Sequence, residues 1–307
     1  MTMIHCLTII AAATLTFLTH TVQANDLNCK KFIVAEDYFS AFEPCKMATE
    51  NDDKGALFNL GYMYDNGFGV DTNKHKAFQL YLRAAQLGDA VAQSNVAYHY
   101  EHGESVTQDY EQAYTWYKLA AEQGYKTAQF ALAEMYDEAR GVELDNVKAA
   151  YWYLLAAEQG HTKAQLYLAM YFHQGLGVEK DYEAAAFLYQ QAVDGGSTWA
   201  MNHLATMYAE GEGVEQDNDK AKTLFRKAAV AGDVSAQYNL ANIYSFRAKE
   251  TADFVKAYVW FSVALANGHE RAEGAREVIV RQINTADMVR AKILIDECVA
   301  DFSYSCP

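Results

Sequence analysis

The sequence predicts an all-α protein, an α-solenoid of tandem antiparallel helix pairs. Three observations carry that prediction. Alanines recur without a slip every 36 residues, at Ala56, Ala92, Ala128, Ala164, Ala200, Ala236 and Ala272. Only two prolines occur in 307 residues, while hydrophobic residues make up 51%, enough for a packed helical core. A glycine-containing turn and a helix-capping residue alternate in the same frame.

The first helix of each copy, helix A, is defined by steps 0, 4, 5 and 8 from the recurring alanine. Step 4 is Leu60, Val96, Leu132, Leu168, Leu204 or Leu240, and step 5 is always small, from Gly61 to Ala241. Step 8 is an aromatic, Tyr64, Tyr100, Tyr136, Phe172, Tyr208 or Tyr244. These steps share one helical face. The turn that follows reads Gly67-Phe68-Gly69-Val70 where it is intact, and again Gly175-Leu176-Gly177-Val178 and Gly211-Glu212-Gly213-Val214. Glycine past a helix end takes the left-handed conformation that closes it.

Helix B opens at Asn73, Asp109, Asp145, Asp181, Asp217 and Asp253, residues whose side chains accept the free N–H groups of a first turn. Alanines at Ala77, Ala113, Ala149, Ala185, Ala221 and Ala257 recur seven residues later, from Ala84 to Ala264, around bulky pairs such as Leu80-Tyr81 and Trp260-Phe261. Small residues allow close backbone approach, and the aromatics fill the grooves beside them.

The frame yields six repeats, 56–91, 92–127, 128–163, 164–199, 200–235 and 236–271. Residues 25–55 form a degenerate half-repeat in which Pro44 is expected to break or restart the helix, and 272–307 form C-terminal capping helices with Thr285 as the last cap.

Residues 1–24 lack Asp, Glu, Lys and Arg, and Leu7 to Leu18 is an apolar run too short for the roughly 20 residues a bilayer crossing needs. With Val22-Gln23-Ala24 behind it, the segment reads as a signal peptide, the alternative being a short anchor. The mature chain then starts at Asn25, is exported to a bacterial periplasm or secreted, and has no stable membrane insertion. Export leaves Cys29, Cys45, Cys298 and Cys306. Four cysteines allow three pairings; proximity in sequence favours Cys29 with Cys45 and Cys298 with Cys306, with free buried thiols as the alternative.

The pattern Ala-x-x-x-Leu-Gly-x-x-Tyr-x-x-Gly-x-Gly-Val followed by Ala, a bulky pair and Ala-Ala-x-x-Gly, complete in Ala56–Val70 with Ala77–Gly88, resembles the Sel-one-like repeat family, a relative of tetratricopeptide repeats. The resemblance implies a right-handed superhelix of helix pairs used as an adaptor or scaffold. Departures fall in the turns: Ser105 replaces the second glycine of one copy, Ala139-Arg140 replaces the first of another, and residues 246–250 contain none.

Positions repeated in every copy are explained by packing, so a partner is sought at helix A positions that vary yet share a face. These are Phe58, Tyr62, Tyr98, Glu101, His102, Phe130, Glu134, Leu166, Met170, Asn202, Glu210 and Tyr238. In the related fold this face lines a concave groove, and alternating rings and carboxylates suit a protein or peptide, basic residues being favoured. The competing explanation is that these side chains pack on the next helix or face water. A net charge of −15 argues against nucleic acid as a partner.

The resemblance also raises a hydrolase acting on lactams or peptidoglycan, because relatives have carried such labels. The sequence contains no Ser-x-x-Lys pair, no Gly-x-Ser-x-Gly elbow, no His-Glu-x-x-His and no Cys-x-x-Cys, so no catalytic residue and no cofactor is expected. His99 and His102 lie one turn apart but lack a third ligand in the frame, so no metal is expected either.

Overall fold

The computed structural model describes residues 25–246, 248, 250–300 and 306. The expected leader, 1–24, lies outside the described residues. The chain divides into two compact units, 1–156 and 157–307.

In the first unit, α1 (25–34) and α2 (Tyr38–Thr49) precede three helix pairs: α3 (Lys54–Asn66) with α4 (Lys74–Gln86), α5 (Ala90–His102) with α6 (Tyr110–Glu122), and α7 (Lys126–Asp137) with α8 (Asn146–Glu158). The second unit holds α9 (Thr162–Gln174) with α10 (Tyr182–Asp194), α11 (Thr198–Glu210) with α12 (Asn218–Val230), and α13 (Val234–Phe246) with α14 (Thr251–Ala266). It closes with α15 (Ala272–Val280) and α16 (Thr285–Ala300). No strand occurs among the described residues.

Side-chain caps set where the helices begin. Asp53 Oδ1 accepts from the Ala56 N–H at 2.7 Å to open α3, and Asn73 Oδ1 accepts from Lys76 at 2.9 Å to open α4. Asp89, Asp109, Asp145, Asp181 and Asp217 do the same in turn. Each such cap contributes about 1 kcal/mol. Two expected caps are corrected. Asp253 lies inside the first turn of α14, which begins after Glu250, because the glycine-free sixth connection is shorter than the others. Asn284, not Thr285, caps α16, accepting from the Asp287 N–H at 2.9 Å while its amide donates to the Asp287 carboxylate at 2.7 Å.

The helix A ends close as the turn glycines require: Gly67, Gly103, Gly175 and Gly211 have φ of 75°, 69°, 76° and 77°. The connection keeps this shape where glycine is missing, since Ala139 and Ser105 also sit at positive φ, 55° and 64°. Tertiary packing overrides the residue's own preference there.

The frame alanines from Ala56 to Ala272 are fully buried, as are Ala77, Ala84 and their repeats. The second residue of each bulky pair is buried, Tyr81, Tyr117, Tyr153, Tyr189, Phe225 and Phe261, and in the first and last pairs Leu80 and Trp260 are buried too. In four of the six repeats a glutamine beside the frame alanine fastens helix A to the end of the helix before it. Gln93, Gln129, Gln165 and Gln237 are buried and donate to the carbonyls of Ala85, Ala121, Ala157 and Ala229, at 3.1 to 3.3 Å. Each of those carbonyls also accepts the N–H of the closing glycine, Gly88, Gly124, Gly160 or Gly232, so the buried amide donates to its second lone pair.

Both disulfides form as sequence proximity suggests. Cys29 pairs with Cys45, joining α1 to α2, and Cys298 pairs with Cys306. The N-terminal segment thus carries a full hairpin where the repeat frame anticipates half of one. Pro44 neither breaks nor restarts α2, which runs unbroken from Tyr38 to Thr49. Buried Ala41, Cys45 and Ala48, with the disulfide, hold the helix through the missing N–H.

Candidate interaction surface

The last turn of each helix A faces the buried aromatic of the following helix B, and the two positions match in chemistry. Tyr81 faces the Asp65 carboxylate, the Tyr117 hydroxyl donates to Glu101 Oε2 at 2.8 Å, and Tyr153 donates to Asp137 Oδ2 at 3.1 Å. Sixteen residues separate each pair. In the second unit the same position is His173, whose ring lies 6.3 Å from that of Tyr189. It is then Ala209 and Ser245, and their helix B partners, Phe225 and Phe261, have no hydroxyl. In the first three repeats the buried hydroxyl thus meets a carboxylate, which offsets the cost of burying it. Burial pushes the Tyr81 and Tyr117 hydroxyls far above the usual phenol range, with the neighbouring carboxylates adding to the effect, so both stay protonated donors.

The same acidic position also reaches the turn of the next repeat. Glu101 Oε1 pairs with Arg140, which Glu138 contacts at 3.0 Å, and His173 Nε2 lies 3.2 Å from Glu212 Oε2. Glu101 is therefore a buried structural acid, not an open contact for a partner.

The exposed part of the predicted face in the first unit is aromatic. Tyr62 and Tyr98 are 36% and 44% exposed, and Phe58 is half-buried with its ring stacked on Tyr62 at 6.4 Å. Tyr38 and Phe68, which the frame reads only as a helix start and a turn residue, join them. Phe68 lies 4.7 Å from Tyr38 and 5.6 Å from Tyr62. Tyr98 stacks on exposed His102 at 4.1 Å. The signal that could have found Phe68 is its hydrophobicity at a turn position held by Glu104 and Glu212 in other copies.

Three of the predicted contacts lie elsewhere. Phe130 and Leu166, like Glu101, are buried. Each sits two steps past a frame alanine or at the last turn, where helix A meets the helices before and after it. Its packed stripe is therefore wider than a single-face reading assigns. Glu134, Met170, Asn202 and Tyr238 are half-buried. In the second unit Asn202 accepts from the Asn239 amide at 3.0 Å, and Tyr238 stacks on His269 at 4.2 Å with Arg271 over its ring. A groove of about 520 Å3 opens beside them between Thr206, Glu210, Phe225, Asn239, Ile243 and Phe246.

His99 and His102 do not converge. His99 is buried with Nδ1 on the Glu104 carbonyl at 2.8 Å, and His102 Nδ1 is on the Tyr98 carbonyl at 3.0 Å. Among the described residues no cluster of His, Cys, Asp and Glu is arranged to hold a metal. Nor is any described helix long and apolar enough to cross a membrane.

Capped helix pairs in a constant frame, fastened by buried alanine, glutamine and aromatic positions, define a helix-repeat protein. The Sel1 repeat model matches residues 55–89, 90–125, 126–161, 162–197, 200–233 and 234–269, and the chain belongs to the Sel1 repeat family. A solved Sel1 repeat protein from Oxalobacter formigenes is 30% identical, covering 78% of this chain and 96% of its own at a TM-score of 0.68. A protective antigen of uropathogenic Escherichia coli with the same repeat fold is 27% identical, with a TM-score of 0.62 over 87% of this chain and 65% of that one. No curated protein matches. Proteins of this repeat class mediate protein–protein interaction.

Proposed function

We propose that the mature chain is an exported, non-catalytic scaffold that holds a protein or peptide segment on its helix A surfaces. In the first unit that surface is Phe58, Tyr62 and Tyr98, extended by Tyr38 and Phe68. The observation that carries the reading is the run of four linked rings, Tyr38, Phe68, Tyr62 and Phe58, with two of them over a third exposed. Rings held by one another lose little freedom on binding and offer area to a partner. Glu36 near Tyr38 favours a basic segment. Two disulfides in a chain with a leader-like start support export to a periplasm or beyond. The domain plan is then leader 1–24, N-terminal cap 25–55, repeats 56–271 and C-terminal cap 272–307.

A photo-crosslinking side chain placed at Tyr62 or Tyr98 in the producing cells tests the surface. It should capture a discrete polypeptide that the same probe at Leu119 or Phe187, exposed on helices B, does not. Equal capture at all four positions rejects the surface. Sequencing of the mature N-terminus should read from Asn25, and turnover of a chromogenic lactam by the purified protein would refute the non-catalytic reading.

A further inference from the structure

The second unit carries an opposite charge feature on a different element. The outer face of α12 presents Lys222, Arg226 and Lys227, with Thr223 between them and Val230 one turn on, to an open pocket of about 520 Å3 that Tyr244 closes from α13. The spacing is what places them together, because residues four apart on a helix lie one above the other, as Lys222 and Arg226 do, and Thr223 and Lys227. In a chain with 40 acidic and 25 basic residues, three cations on one pocket are a local inversion of the overall field.

Two of the cations already have partners of the kinds a peptide offers, a main-chain carbonyl and a carboxylate. Arg226 donates to the main-chain carbonyl of Cys306 at 3.0 Å, a residue 80 positions away, and Lys222 holds the Asp219 carboxylate at 3.2 Å. Lys227 has no ion-pair partner among the described residues. Val230 and the Tyr244 ring supply an apolar floor, which a free inorganic anion would not use but a peptide side chain would.

We infer that this pocket is a second docking site, for an acidic polypeptide segment whose carboxylates meet Lys222, Arg226 and Lys227 while an apolar side chain rests on Val230 and Tyr244. It differs from the aromatic surface in element, in charge and in the partner it selects, and it stands or falls independently of that surface.

The test is fluorescence anisotropy of a labelled peptide of alternating Glu and Leu against the full mature protein, beside a Gln-for-Glu peptide of equal length. The acidic peptide should bind, the amide peptide should bind at least tenfold more weakly, and affinity should fall as salt rises. Lys222→Ala with Lys227→Ala should weaken binding about tenfold, a factor of about two to five for each exposed charge contact. Circular dichroism should show the fold unchanged, both lysines being surface residues. Tyr62→Ala with Tyr98→Ala should leave this binding intact. Equal affinity for both peptides, no effect of the lysine changes, or binding of pyrophosphate without binding of the acidic peptide would overturn the assignment.

Discussion

The hydroxyl of Tyr117 donates to Oε2 of Glu101 at 2.8 Å, while Oε1 of the same buried carboxylate meets Arg140 from the next repeat. One acid thus satisfies a buried donor in its own repeat and ties that repeat to its successor. Removing the acid leaves the buried Tyr117 hydroxyl without its acceptor and Arg140 with Glu138 alone. Glu101→Ala is expected to destabilise by about 2–3 kcal/mol, and Tyr117→Phe by about 1 kcal/mol. A double-mutant cycle read by urea unfolding should show coupling between the two sites. Additive effects would mean the hydroxyl and carboxylate act separately.

The complementary change is Phe225→Tyr. The new hydroxyl would enter a site where the matching helix A residue is Ala209, so it would be buried without the acceptor that the first three repeats provide. A loss of about 1–3 kcal/mol is expected, measured by the shift in denaturant midpoint. Restoring the acceptor with Ala209→Asp should recover part of it.

Turn glycines give a prediction with two signs. Ser105 and Ala139 occupy positive φ, so Ser105→Gly and Ala139→Gly should each stabilise by about 1 kcal/mol. Gly69→Ala should do the reverse, because a Cβ there would come within 2.6 Å of the Tyr38 carbonyl oxygen in addition to the strain. Thermal melts of the three variants separate the effects.

Acid sensitivity should concentrate in the second unit. Burial, aided by His173, holds the His203 imidazole below its ordinary range as it stacks on Tyr189 at 5.2 Å. The folded state keeps this ring neutral, whereas the unfolded chain takes up a proton near pH 6.5. Its contribution is therefore fully present above about pH 6.5 and is lost as pH falls from there towards the lower folded value. Exposed to less water than in the unfolded chain, His269 is lowered in the same direction. Stability followed by urea midpoint from pH 8 to pH 5 should decline, and His203→Gln should flatten the decline.

The Cys29–Cys45 bond closes a loop of 16 residues and carries α2 through Pro44. Cys29→Ser with Cys45→Ser should lower stability by about 3 kcal/mol and expose the N-terminal hairpin to limited proteolysis before the repeats are cut.

The repeat period, the helix pairs, most caps and the turn glycines were legible in the sequence because each is a local rule copied in a fixed frame. Alanine at every interface, an Asp or Asn before most helices B and a glycine after most helices A state their own physics. The cysteine pairing was legible for a related reason, since short loops close most readily.

What the sequence alone did not decide was which side of helix A stays open. Phe58, Phe130 and Leu166 share one frame position, yet the first is half-buried and the other two are buried. A helix packed by neighbours before and after it has two interior faces, and only the positions of those neighbours show which residues they cover. Tertiary structure likewise turned Glu101 from a contact residue into an internal brace. It also gathered Lys222, Arg226 and Lys227 around a pocket with Tyr244, and brought Phe68 to Tyr38 and Tyr62. Local patterns fix elements, because their forces act within a few residues; surfaces depend on contacts between residues that the chain keeps far apart.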